Sequence, residues 1–261
     1  MSRVVTPATR VWRCRPVEDD GGMSTPTGLL TALRTSTAAM LQGLAAEQWG
    51  DDDLRAPSLL PGWTRGHVLA HIARNADGIT RTLSGALRGQ RVPRYPGGRA
   101  GRNADIEAGS TRGFAELAAD VRESADRLGR LFAAVADADG WDLPTEDRPA
   151  RDYVQARWRE VEIHRVDLAG GYTADQWSAE FVAYVLPELI GSLDARGAPP
   201  LRIEVTAGGS VTSGLGGTVW TVGGARPIHV AGPDWALAAW LAGRHAASGA
   251  LIDAPEVSAW L

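Results

Sequence analysis

Residues 60–83 read LPGWTRGHVLAHIARNADGITRTL. Val68, Ile72, Ala76, Ile79 and Leu83 recur in it at three- and four-residue spacing, the period of one helical face. Thr64 stands just ahead of that pattern as an N-cap, so a long helix is expected from there to about residue 88. The same period recurs over residues 24–48, 103–138 and 150–170. Between these segments lie GDDDLRAPSLLPGW (50–63), GQRVPRYPGGRAGR (89–102) and DGWDLPTEDRPA (139–150), rich in the residues that interrupt helices. Long helices joined in this way predict an all-α, up-down four-helix bundle.

The pattern changes after GGYTADQW (170–177). A helix over 174–194 is followed by LRIEVTA (201–207), GGTVWTVGG (216–224) and RPIHVAG (226–232), which alternate as strands do and are separated by glycines. PDWALAAWLAGRHA (233–246) returns to a helical period, with Pro233 suited to a first turn. The expected organisation is a disordered extension over 1–22, a bundle over 23–172 and a small α+β domain over 173–261.

Composition narrows the function. The 261 residues are 44% hydrophobic and 22% charged, as in an ordinary globular protein, and a net charge of −4 lacks the basic footprint of nucleic-acid binding. No apolar run approaches the roughly eighteen residues of a membrane span. Cys14 is the one cysteine, so no intramolecular disulfide can form, which fits a reducing cytoplasm. Cys14 falls in the extension, so thiol chemistry would need a thiol from outside the chain. Every basic residue is arginine, the codon bias of a GC-rich, for example actinobacterial, genome.

The candidate chemistry lies on two helices. In WREVEIHRVDLAGGY (158–172), Glu160 and His164 are four apart and share a face, whereas Glu162 projects to nearly the opposite side. Alone, such a pair reads most simply as two neighbours on a solvated face. The helix at 64–88 adds His67 and His71. His71 lies about 120° from the centre of the apolar stripe and borders the bundle interior; His67, at about 160°, faces outward. His71, Glu160 and His164 are the two-nitrogen, one-carboxylate set that catalytic zinc uses, with a coordination position left open.

SLLPGWTRGHVLAHIARNADG (58–78), RWREVEIHRVDLAGGY (157–172) and LAGRHAASG (241–249) together resemble the mycothiol-dependent maleylpyruvate isomerase family, from about residue 25 to the C-terminus. The resemblance implies a DinB-like metal-binding bundle, zinc or another divalent metal held by His71, Glu160 and His164, and a functional arginine at Arg244 that pairs with a substrate carboxylate. It also implies mycothiol as thiol cosubstrate. Addition of its thiolate to maleylpyruvate turns the cis double bond into a single bond; rotation and elimination then give fumarylpyruvate. The alternatives are a mycothiol S-transferase acting on electrophiles, or a metal-binding module without turnover. The partners expected are a small-molecule substrate and a low-molecular-weight thiol, with no protein partner evident. Of the neighbouring residues, Asn75 could face the same cavity and His67 could serve as a further ligand or support one. Arg157 and Arg165 are expected to be solvated, with Asp167 as a local partner, while Trp63 and Trp158 pack in the core. No role is assigned to His229 or His245.

Overall fold

The computed structural model describes residues 25–206, 213–244, 251, 254–258 and 260; the expected extension with Cys14, and also His245, lie outside the described residues. Helices α1 (Pro26–Ala46), α2 (Arg65–Leu87), α4 (Phe114–Asp137) and α5 (Asp152–Asp167) form the bundle, and α3 (Gly98–Ser110) lies across α2. α2 packs against α4 and α5, and α1 against α5 and α4, which closes the ring. The stripe read from the sequence is the buried face of α2: Val68, Ile72, Ala76, Ile79 and Leu83 have no solvent access.

One expected helix is two. The segment 103–138 breaks at Thr111–Gly113 into α3 and α4. Gly113 is extended (φ −68°, ψ 160°), and the amide of Phe114 donates to Asp51 Oδ1 at 2.8 Å. The carboxylate that caps α4 therefore comes from a remote loop, and no local cap marks the break.

Polar contacts set the register of α5 against α2 on one side and against α1 on the other. Arg65, in the first turn of α2, donates from Nε and Nη2 to the carbonyls of Leu168 and Ala169 at 2.8 and 2.7 Å, satisfying acceptors that α5 leaves open at its end. On the far side of α5, Trp158 Nε1 donates to Ser36 Oγ of α1 at 2.8 Å, and Ser36 donates to Glu162. Ion pairs Arg74–Asp120 (2.6 Å) and Arg127–Asp77 (2.9 Å) join α2 to α4.

After a 3-10 turn at Ala174–Gln176, α6 (Ala179–Gly191) replaces the single expected helix over 174–194. Strands β1 (Leu201–Val205), β2 (Val219–Val222) and β3 (Ile228–Gly232) form a sheet in the order β2-β1-β3, with β2 antiparallel and β3 parallel to β1. Helix α7 (Asp234–Leu241) starts directly after Pro233, which occupies its N-cap. Leu201, Ile203 and Val205 turn inward, α7 packs against α6, and one hydrophobic core runs from the bundle through Trp158, Phe181 and Trp177 into this region. The fold is thus the expected helical bundle followed by a small α+β unit. No described helix is long and apolar enough to cross a membrane.

Two glycines test the packing in opposite directions. A Cβ on Gly66 would stand 2.3 Å from the carbonyl oxygen of Ser110, so Gly66→Ala is expected to destabilise the protein by about 1–3 kcal/mol. A Cβ on Gly129, inside α4, would meet nothing within 4 Å, so Gly129→Ala should stabilise by about 0.5–1 kcal/mol. Thermal unfolding midpoints of the two variants check both.

Candidate metal centre

His71, Glu160 and His164 converge in the groove between α2 and α5. His71 Nε2 lies 2.9 Å from Glu160 Oε2 and 3.1 Å from His164 Nε2, and His164 Nε2 lies 3.2 Å from Glu160 Oε2. Tetrahedral zinc with bonds of about 2.0–2.1 Å needs ligand atoms about 3.3 Å apart, so the donor set fits with little adjustment. Among the described residues this is the one cluster of three or more such groups able to hold a metal ion.

Both imidazoles of the trio are held from behind. His164 Nδ1 is 2.7 Å from Asp167 Oδ2, which fixes Nδ1–H and leaves the Nε2 lone pair pointing at Glu160 and His71. Asp167 has no solvent access, and Arg244 grips it with two donors, Nε at 2.9 Å and Nη2 at 2.7 Å. His71 Nδ1 lies 3.1 Å from Arg102 Nη2, and the ring meets Trp63 edge-on at 5.5 Å between centroids.

The protonation states follow from burial and from these partners. Burial pushes His71 down to about 4, only partly offset by Glu160. Burial favours the neutral form of Glu160, but the two imidazoles outweigh it and hold the carboxylate well below its usual range. Burial would lower His164 as well, yet Asp167 and Glu160 together raise it above its usual value.

A cavity of about 990 Å³ opens onto the trio. Leu60, Pro61, Trp63 and Tyr95 give it apolar walls, and Arg94, Arg99, Arg102 and Arg244 give it cations. Three of these arginines come from the segment 89–102 and the start of α3. The chain turns there through Gly97 and Gly98 at φ 75° and 64°, and Gly101 sits where a Cβ would be 2.2 Å from the carbonyl of Pro96.

Residues 30–169 match the family model described as "Mycothiol maleylpyruvate isomerase N-terminal domain". The chain belongs to this family. A crystal structure of the mycothiol-dependent maleylpyruvate isomerase superposes with a TM-score of 0.77 at 26% identity, covering 90% of this chain and 97% of that one. A crystal structure of a histidine-to-alanine mutant of that isomerase gives 0.77 at 25% identity over the same shares. No curated protein matches the chain.

Within this family member, the other expected residues fall as follows. Glu162 points away from the trio, accepting from Ser36 Oγ and from Tyr172 OH (2.8 Å). His67 is the N3 residue of a capping box with Thr64 and meets Glu107 at 3.1 Å, so it stands outside the ligand cluster. Asn75 does not line the cavity; its Oδ1 accepts from Arg157 Nη1 at 2.9 Å. Arg157 is buried rather than solvated, with Nη1 also donating to the carbonyl of Ile72 at 2.8 Å, and burial pushes its pKa down to about 10. Arg165 stacks on Tyr172 at 3.7 Å, and Asp167 pairs with His164 and Arg244 instead. Trp158 is buried, whereas Trp63 lines the cavity. His229 joins Glu204 (3.0 Å) and Arg202 (2.8 Å) on the sheet. Asp167, Tyr95, Arg94, Arg99, Arg102 and Glu146 were not anticipated as part of the site. For the loop arginines a signal existed: residues 89–102 hold four arginines amid glycine and proline.

Asp167→Asn is expected to weaken divalent-metal binding by about 10–100-fold, as changes behind a histidine ligand do, while Glu162→Gln leaves metal content unchanged. Because His164 must lose its proton to act as a ligand and its pKa is raised, metal affinity should climb with pH through the range just above the usual histidine value. Metal titrations of the variants, and of the native chain at several pH values, check both.

Proposed function

We propose that this protein is a zinc- and mycothiol-dependent cis-trans isomerase that converts maleylpyruvate to fumarylpyruvate. The observation that carries this reading is the convergence of His71, Glu160 and His164, within 3.2 Å of one another, at the floor of a cavity walled by arginines. Two histidine nitrogens and one carboxylate oxygen would hold the metal, leaving its open position toward the cavity. Held there, zinc supplies Lewis acidity that keeps a coordinated thiol ionised at neutral pH.

The chain's own residues do the rest. Asp167 orients His164 and compensates positive charge on its ring. The cavity cations suit a substrate with two carboxylates, because Arg pairs with a carboxylate through two parallel N–H groups. Leu60, Pro61, Trp63 and Tyr95 displace water from the reacting carbons, which strengthens those ion pairs. Arg244 acts as a positioning residue: its Nε and Nη2 grip Asp167, which in turn orients His164. We place the division between the bundle and the α+β domain near residue 172, so Arg244 reaches the bundle's ligands from the second domain.

Zinc-loaded protein mixed with mycothiol and maleylpyruvate should produce fumarylpyruvate, followed by loss of the cis isomer and by chromatography. Accumulation of a thiol adduct without the trans isomer would instead mark an S-transferase. Arg244→Ala should lower kcat/KM and also the melting temperature, since it strips a buried carboxylate of its cation, a loss of about 3–5 kcal/mol.

A further inference from the structure

Arg244 reaches the ligand trio through Asp167, yet it has little left to offer a substrate. Both its Nε and Nη2 are committed to Asp167, and its Nη1 donates to the carbonyl of Ala242. A carboxylate entering the cavity needs a cation that is not already neutralised.

Arg102 is placed to be that cation, but it is engaged with a ligand. Its Nη2 lies 3.1 Å from His71 Nδ1. A guanidinium has donors only, so Nδ1 must accept, and the proton of the neutral ring resides on Nε2. That proton is well used: Nε2–H donates to Glu160 Oε2 at 2.9 Å and faces the His164 Nε2 lone pair at 3.1 Å. Every donor in this chain of contacts meets an acceptor.

A cation held by the trio changes the accounting. It takes the lone pair of His71 Nε2, so the ring's proton belongs on Nδ1. Nδ1–H and Arg102 Nη2–H are then two donors facing each other, and the contact is lost. The guanidinium is also repelled by a dication on the other side of the ring. Its other contacts are Nη1 with Asn103 Oδ1 at 3.0 Å and the Tyr95 ring, whose centroid is 6.0 Å from Cζ; neither ties the group to His71. The carboxylates lining the cavity are Glu160, itself a ligand, and Glu146, which is exposed and offers an ion pair worth little.

We infer that Arg102 is an anion-binding residue of this cavity, exchanged from His71 to a substrate carboxylate when the trio takes up its metal ion. The inference rests on the metal reading above. Metal and anion then favour each other, because each needs Arg102 away from His71 and the cost of moving it is met once.

The test uses the full-length protein and two probes, Zn²⁺ by chelator competition and maleate, a cis-dicarboxylate, by calorimetry without thiol. Arg102→Met should bind Zn²⁺ more tightly than the native chain, by about three- to tenfold, since a competing partner of His71 is gone. The zinc-loaded variant should bind maleate at least about tenfold more weakly, and Arg102→Lys should recover part of that loss. In the native protein, maleate should bind more tightly with zinc than without, and Arg102→Met should shrink that difference. Unchanged or weaker Zn²⁺ binding by a folded Arg102→Met, or unchanged maleate binding, would overturn the inference while leaving the metal reading intact. If the native chain takes up no more zinc than His71→Ala, both fall together. If the linkage holds but maleylpyruvate is not isomerised, only the assigned reaction fails.

Discussion

A carboxylate sealed from water must find its countercharge in place, and Asp167 is such a group. It accepts from His164 Nδ1, from Nε and Nη2 of Arg244 and, through its backbone carbonyl, from the amide of Leu59 at 3.0 Å. These bonds gather the end of α5, the loop ahead of α2 and the residue just past α7. The helical bundle and the C-terminal unit are therefore joined at the charge that orients His164. Burial alone would push Asp167 toward its neutral form; His164 and Arg244 outweigh it and hold the carboxylate below its usual range.

Helix α5 works on two faces. Glu160 and His164 look into the cavity, while Trp158 and Glu162 look toward α1 and Tyr172. Both faces are buried and both are polar, so the helix has no single apolar stripe. Most of its buried polar groups are satisfied by protein partners rather than by water, with Arg157 Nη2 the one buried side-chain polar atom of α5 left without a partner among the described residues. The rotational separation of Glu160 from Glu162 thus decides more than ligation: two carboxylates two positions apart anchor different halves of the bundle.

That arrangement explains what could and could not be read from the residues. The 3.6-residue period exposed the bundle helices, and the four-residue spacing of Glu160 and His164, set against His71, picked out the trio. Periodicity could not show that Arg157 is buried, because a charged residue in a helix with no apolar stripe looks the same whether water or a carbonyl satisfies it. The break between α3 and α4 was hidden because its cap, Asp51, lies 63 residues away in the chain. The pairing of Asp167 with Arg244 spans 77 residues, and the nearer Arg165 was the obvious but wrong partner. Resemblance located Arg244 as a residue of interest; only the packing shows that Asp167 holds it.

Net charge misleads about what this cavity attracts. The chain carries −4 overall, yet its cavity presents four arginines against two glutamates. Apolar walls lower the local dielectric, so those few cations act over the cavity while the surface acids are screened by solvent within about a Debye length. Not all four are equal. Arg244 is neutralised by Asp167, and Arg102 is spent on an imidazole, whereas Arg94 Nε is buried without a partner among the described residues. An arriving dianion meets positive charge that the fold has left uncompensated on the 89–102 side and compensated on the α7 side. The cavity's field is therefore stronger on the loop side than on the α7 side, and it draws an anion toward the loop.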